Sequence, residues 1–342
     1  METNAGKYKK GILLGVLVGI FWGLDGVLMG QVGQAPIFTD TEFALANGVS
    51  AKAFEFSPLV TAFFHESFCF LWVALVLLLS KQLRQAFYVL FHTKKGRATA
   101  LAALIGSPIG MSAFQLGIKY AGPAYASSIS VIYPGVGALI SYLVLKEKLS
   151  IRAIIGIGLS LLGSFMLGFK PSGSVPETFE KGVLFAALAV LGWALEGVII
   201  GFAMKHIKGE DDVQATPQQL LCLRYFVAMI AYAMIVLPAI KGYPLAGAVV
   251  SQGLVFFYAG IAILGALTYL SWYKAVDLIG SAMGTALNST AALWTIVFSA
   301  VLFKGTVTPT LIFWGIVIVA GVFIFAVDPA SFKKSKKEKT KV

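Results

Sequence analysis

The chain has 342 residues, of which 58% are hydrophobic and only 13% charged, and its mean hydropathy is +0.84. A soluble domain carries about a quarter charged residues, so this balance excludes a soluble globular fold and points to an all-α polytopic membrane protein. The net charge of +11 raises nucleic acid as a partner, which the placement of the basic residues argues against.

Ten apolar stretches have the length of about twenty residues that a helix needs to cross a bilayer. They cover 11–32, 58–80, 98–119, 123–145, 151–169, 182–204, 217–239, 252–274, 282–303 and 309–327. The first follows Lys7, Lys9 and Lys10 as a signal peptide would, yet it holds Asp25 and has no small-residue cleavage site. It reads as a retained helix. Residues 31–57, with Asp40, Glu42 and Glu55, form a long external connection that reads as an insertion, with an extracellular lid as the alternative. Residues 205–216, with Glu210, Asp211 and Asp212, link the two halves in the cytoplasm. Cys69 and Cys222 fall inside spans and read as small hydrophobes, so no disulfide or metal framework is implied.

With ten spans and an internal N-terminus, the inner segments hold Lys7, Lys9, Lys10, Lys81, Arg84, Lys94, Lys95, Arg97, Lys146, Lys148, Arg152, Lys205, Lys208, Lys274 and the tail lysines. Only Lys52, Lys119, Lys170, Lys181, Lys241 and Lys304 fall outside. This bias places both termini in the cytoplasm. It makes the lysine-rich tail 329–342 a topology and lipid-headgroup element, not a nucleic-acid patch.

One phrase occurs twice. Gly11–Gly30 reads GILLGVLVGIFWGLDGVLMG, and Gly182–Gly201 reads GVLFAALAVLGWALEGVIIG, with eight of the twenty positions identical. The duplication continues: Pro58 aligns with Pro217, which superimposes His65 on Arg224, and GPAYASSISVIYPG from Gly122 aligns with GSAMGTALNSTAAL from Gly280. Five helices make one repeat and five is odd, so the second copy inserts upside down. The expected architecture is ten transmembrane helices as two inverted five-helix repeats, 1–170 and 182–328, with a substrate held near the midplane where they meet.

Each copy carries a costly intramembrane acid three residues after a tryptophan: Trp22 with Asp25, and Trp193 with Glu196. Acid and indole then share a helix face, and ionisable residues in a span mark a functional site by default. Gly26 and Gly30, and likewise Gly197 and Gly201, have the spacing that lets another helix approach closely. In the eighth span Tyr269, Trp272 and Tyr273 occupy i, i+3 and i+4 and form one face. Trp22, Trp193, Tyr269 and Tyr273 with Glu196 make a candidate box for a quaternary ammonium, whose diffuse charge suits aromatic faces; packing is the alternative for the eighth-span stripe. Asp25, His65, Glu66 and Arg224 are the candidates for proton coupling or gating. Arg224 is positioned to neutralise Glu66 or Glu196, and His65 to relay a proton. Ser127, Ser128, Ser130, Asn288, Ser289 and Thr290 offer hydrogen bonds to a ligand or between helices, and Tyr133-Pro134 predicts a break in the fourth span.

The pieces FWG at Phe21, ASSISVIYP at Ala126 and LKEKLS at Leu145 resemble the EamA type of the drug/metabolite transporter superfamily, and the resemblance covers nearly the whole chain. It implies ten helices, inverted repeats and internal termini. The second half departs from the family's short glutamate turn, reading Phe303-Lys304-Gly305-Thr306. FWGLDG at Phe21, HES at His65, GSPIGM at Gly106, WALE at Trp193, LR at Leu223, YLSWY at Tyr269 and ALWT at Ala292 are similar to bacterial choline carriers within the family. That resemblance implies proton-coupled import, with Trp22, Trp193, Tyr269, Glu196 and Tyr273 in the pocket region. Asp25 and the loop 31–57 are departures.

The expected function is therefore a proton-coupled secondary transporter of choline or a related quaternary amine in the plasma membrane, without cofactor or metal. The rival is an exporter of amino acids or other small metabolites on the same fold. No GxxxxGK[ST] loop supports ATP drive, and His65 near Ser67 is too thin a signal for an intramembrane enzyme.

Overall fold

A computed structural model describes residues 4–145, 150–169, 176–206, 215–279 and 287–326. The LKEKLS turn, much of the central link and the lysine tail lie wholly or partly outside these. Among the described residues every regular element is helical. The first span is α1 (Asn4–Val32). Three short helices follow, α2 (Pro36–Thr39), α3 (Thr41–Ala46) and α4 (Ala51–Glu55), then α5 (Ser57–Leu79) and the short amphipathic α6 (Leu83–His92). The third apolar stretch is α7 (Lys94–Leu104), a wider π-helical turn over Ile105–Met111, and α8 (Ser112–Ala121). The fourth is split into α9 (Pro123–Ser130) and α10 (Tyr133–Leu145), and the fifth is α11 (Ile151–Phe169).

The second half begins with α12 (Phe179–His206). Next comes α13 (Pro217–Ala231), a π-helical turn over Tyr232–Val236, α14 (Leu237–Ile240) and α15 (Tyr243–Ser251). The chain continues with α16 (Leu254–Ile279), α17 (Ala291–Phe303) and α18 (Pro309–Ala326). Among the described residues seven helical segments are long and apolar enough to cross a membrane, and three shorter apolar ones lie at Ile151–Met166, Ala291–Phe303 and Pro309–Ile324. Outward-facing Leu79, Phe256 and Val301 are each more than two-thirds exposed. Large apolar side chains left uncovered around a bundle belong against lipid, not water.

Local chemistry sets the helix ends. Thr216 accepts from Gln219 N while the Gln219 side chain accepts from Thr216 N, a capping box that starts α13 at Pro217. Gly122, at φ +85°, makes the turn from α8 into α9, where Pro123 takes the first helical position. Pro108 lies inside the first π-helical turn and has no N–H to donate. The Tyr232 hydroxyl donates to the Ser107 carbonyl at 2.8 Å and lies 2.7 Å from Ser112 Oγ. The wider turn in the first half is thus held by a side chain from the wider turn in the second.

The expected break in the fourth span is present one turn of chain before Pro134: α9 ends at Ser130 and α10 resumes at Tyr133. Loop 31–57 carries the short helices α2, α3 and α4 and has a buried side. Ile37, Phe38, Ala44, Val49 and Ala53 are buried with Leu237, Ile240 and Leu245 of the second half. Asp40 and Ser50 cap its helices by accepting from Phe43 N and Ala53 N.

Helix packing is paired between the halves. α1 packs along α16 as α12 packs along α8, α1 meets α17 as α12 meets α10, and α5 faces α13 while α11 faces α18. α12 comes close to its neighbours at Gly182, where an added Cβ would lie 2.5 Å from Ala121 N, and at Gly192, where it would lie 2.7 Å from Gly110 Cα. The expectation for Gly197 needs correction: it is exposed, with nothing within 4 Å of an added Cβ. Counting small residues at four-residue spacing finds a small stripe but not the side it faces.

Candidate functional site

Four aromatic rings from four helices meet at the centre of the bundle. Trp22 of α1 is the hub, with ring centroids 5.5 Å from Trp193 of α12, 6.4 Å from Tyr133 of α10 and 6.5 Å from Tyr269 of α16. The two indoles meet edge to face at 76°, a favoured aromatic arrangement. Tyr133 also lies 5.9 Å from Trp193, Phe114 of α8 lies 5.2 Å from Trp193, and Tyr225 of α13 lies 5.8 Å from Tyr269.

The ionisable residues border the same cavity. His65 Nε2 of α5 lies 2.9 Å from Asp25 Oδ2 of α1. Arg224 of α13 donates through Nε to Glu196 Oε1 at 3.0 Å and through Nη1 to Glu66 Oε2 of α5. Its guanidinium carbon lies over Tyr225 at 4.9 Å and Tyr269 at 5.8 Å, so the aromatic and ionic layers touch. Two glycines make this packing possible. A Cβ at Gly265 of α16 would stand 3.0 Å from His65 Nε2 and 3.1 Å from Asp25 Oδ2, and one at Gly106 would run into the Glu196 carboxylate.

Trp22, Asp25, His65, Glu66, Trp193, Arg224 and Tyr269 border a cavity of about 40 Å³, room for a few waters. Glu196 reaches it through Arg224. Three carboxyl groups, those of Asp25, Glu66 and Glu196, face one guanidinium and one imidazole here. Buried charge without a partner is costly, and each acid here has a basic side chain against it.

A second and larger cavity, of about 600 Å³, opens at the α2–α4 end, bordered by Gly30, Thr61, Gln115, Lys119 and Ser299. Along α1 it is separated from the aromatic centre by Gly26. There an added Cβ would lie 3.6 Å from Ser127 Oγ and 4.0 Å from Phe114 Cζ.

The EamA-like transporter family model matches residues 43–169 and again 180–327. The chain belongs to the EamA-like transporter family. Protein LicB of Haemophilus influenzae is 29% identical over 320 residues, covering 92% of this chain and 97% of that protein. One solved structure, described as a crystal structure of protein, superimposes with a TM-score of 0.53 at 15% identity, over 92% of this chain and 94% of that one. That likeness concerns the fold alone. This EamA-like protein is a multi-pass membrane transporter.

Within it, Trp22, Trp193, Glu196, Tyr269, Asp25, His65, Glu66 and Arg224 all converge. The side chain of Tyr273 lies outside the described residues. Asp25, which the sequence leaves without a companion, has His65 and Gly265. Tyr133, read only as part of a helix break, is a wall of the aromatic cluster. Phe114, Tyr225 and Thr268 also border the site and were not singled out. Tyr225 adjoins Arg224, which could have flagged it, but Phe114 sits in an apolar run with nothing to distinguish it.

Proposed function

We propose that this transporter imports choline or a related quaternary amine across the plasma membrane, coupled to protons, by alternating access between two inverted five-helix repeats. One observation carries the reading: a single cavity combines an aromatic wall, built on Trp22, Trp193 and Tyr269, with the carboxyl groups of Asp25 and Glu66. Trimethylammonium groups are weakly hydrated and bind aromatic faces, at about 2 kcal/mol per desolvated contact. A lining with three carboxyl groups disfavours an anionic cargo. Arg224 already faces Glu66 and Glu196, so its charge is taken up within the protein, which disfavours the amino-acid exporter.

The paired helix packing supports the inverted repeats, with ten spans and both termini inside. His65 against Asp25 supports proton coupling, because imidazole is the side chain that changes charge near neutral pH. Inward movement of one positive charge gains about 2.3 kcal/mol per 100 mV of inside-negative potential. In this cycle proton and ammonium compete for the same negative centre while the repeats rock around it.

Uptake of labelled choline into proteoliposomes, with and without an imposed pH gradient, tests the reading. Choline-specific uptake that responds to the gradient and is lost in Glu196→Gln and Trp193→Ala is expected. Uptake unaffected by both substitutions at equal protein level, or competed by amino acids and not by choline, overturns it.

A further inference from the structure

Beside the charged centre, Trp22 also borders a narrower cleft of about 10 Å³ between the broken fourth span and the start of α17, with Ser127, Ser130, Tyr133, Asn288 and Ser289. Among the described residues two polar atoms on its walls have no partner: Ser127 Oγ and Asn288 Oδ1, in residues only 5% and 6% exposed. The other end of the asparagine amide is held, since Asn288 Nδ2 donates to the Tyr133 hydroxyl at 3.5 Å. Ser130 Oγ is likewise engaged, donating to the Ser127 carbonyl at 3.2 Å. One hydroxyl able to donate and accept and one amide oxygen able to accept thus belong to residues that border a space the size of a single water or hydroxyl group. Buried polar atoms left without partners are costly, so a transporter that keeps such a pair beside its binding centre gains when cargo satisfies both.

We propose that this cleft is a hydroxyl subsite. Ser127 Oγ donates to, and Asn288 Oδ1 accepts from, a hydroxyl carried on a short linker by the transported cation. Trp22 is the common wall: the cationic head lies on its charged side and the hydroxyl tail in the cleft. The cargo class narrows from organic cations at large to hydroxyl-bearing ones, meaning amino alcohols alkylated at nitrogen. This rests on the cation reading above.

A site built to hydrogen-bond a hydroxyl rejects the analogue that lacks it, because its own polar groups are then stranded. Isothermal titration of the purified full chain with choline and with propyltrimethylammonium, which replaces the hydroxyl by a methyl group, reads this directly. The unmodified protein is expected to prefer choline by about tenfold or more, a measurement that needs no variant to fold. In Ser127→Ala and in Asn288→Leu that ratio falls toward one. Comparable binding of both ammonium ions to the unmodified protein, or a ratio unchanged in both variants, overturns the subsite and leaves the cation reading standing. Binding of neither ion overturns the cation reading and the subsite with it.

Discussion

His65 Nε2 lies 2.9 Å from Asp25 Oδ2, and the same arrangement recurs in the second half as Arg224 against Glu196. In each case the acid stands on the first helix of its half and the base on the second. The glycine that makes room comes from the third helix of the opposite half, Gly265 for Asp25 and Gly106 for Glu196. The pairs differ in one chemical respect. A guanidinium is always charged, whereas an imidazole changes charge near neutral pH. The fixed cation also meets a second carboxylate, Glu66.

Enlarging either glycine tests whether the two pairs depend on close helix approach. In Gly265→Val the added carbons meet Cys69 Sγ and the His65–Asp25 pair, all within about 3 Å. Transport is expected to fall by tenfold or more at unchanged expression. Gly197→Ala is the internal control: nothing lies within 4 Å of its Cβ, and replacing a mid-helix glycine stabilises by about 0.5–1 kcal/mol. Its thermal midpoint should hold or rise slightly and its transport should stay at the original level.

Removing Arg224 leaves Glu66 and Glu196 facing each other without a cation. Breaking a buried pair from one side costs about 3–5 kcal/mol, so Arg224→Ala should lower the thermal unfolding midpoint in detergent markedly. Adding Glu66→Gln to that variant removes one stranded charge and should recover part of the loss. No recovery would mean that the two residues are not electrostatically coupled.

Trp22 touches the three other rings of the cluster, so Trp22→Ala should weaken ammonium binding more than Tyr133→Ala or Tyr269→Ala. Losing one desolvated cation–π contact of about 2 kcal/mol corresponds to roughly a thirtyfold rise in Kd. Trp22→Phe should retain part of the affinity. Titration calorimetry with tetramethylammonium, which has no hydroxyl, isolates this effect from that of the neighbouring cleft.

The Tyr232 hydroxyl bridges the Ser107 carbonyl and Ser112 Oγ. Tyr232→Phe leaves a buried carbonyl without that donor, at a cost of about 1–3 kcal/mol. The unfolding midpoint should drop while ammonium affinity changes by less than threefold, since this hydroxyl does not border the central cavity.

Hydropathy, lysine placement and the repeated phrase are properties of stretches of about twenty residues, and from them the sequence alone determined the helical membrane character. It also singled out the intramembrane acids with their tryptophans and showed that His65 and Arg224 occupy matching positions. Matching positions do not state contacts. Asp25 and His65 are 40 residues apart and Glu66 and Arg224 are 158 apart. Whether such residues touch depends on which face each helix turns inward and how near its neighbour's backbone can come.

Only the tertiary structure decided that Asp25 has a partner, that Arg224 holds two acids at once and that Gly197 faces outward. The same holds for Tyr133, marked in the sequence only as part of a helix break, and for Phe114, which nothing local marked; both join the aromatic cluster. Close approach at Gly106, Gly192 and Gly265 is the physical reason. Side chains converge where backbones are allowed together, and that permission is written in helices from opposite halves of the chain.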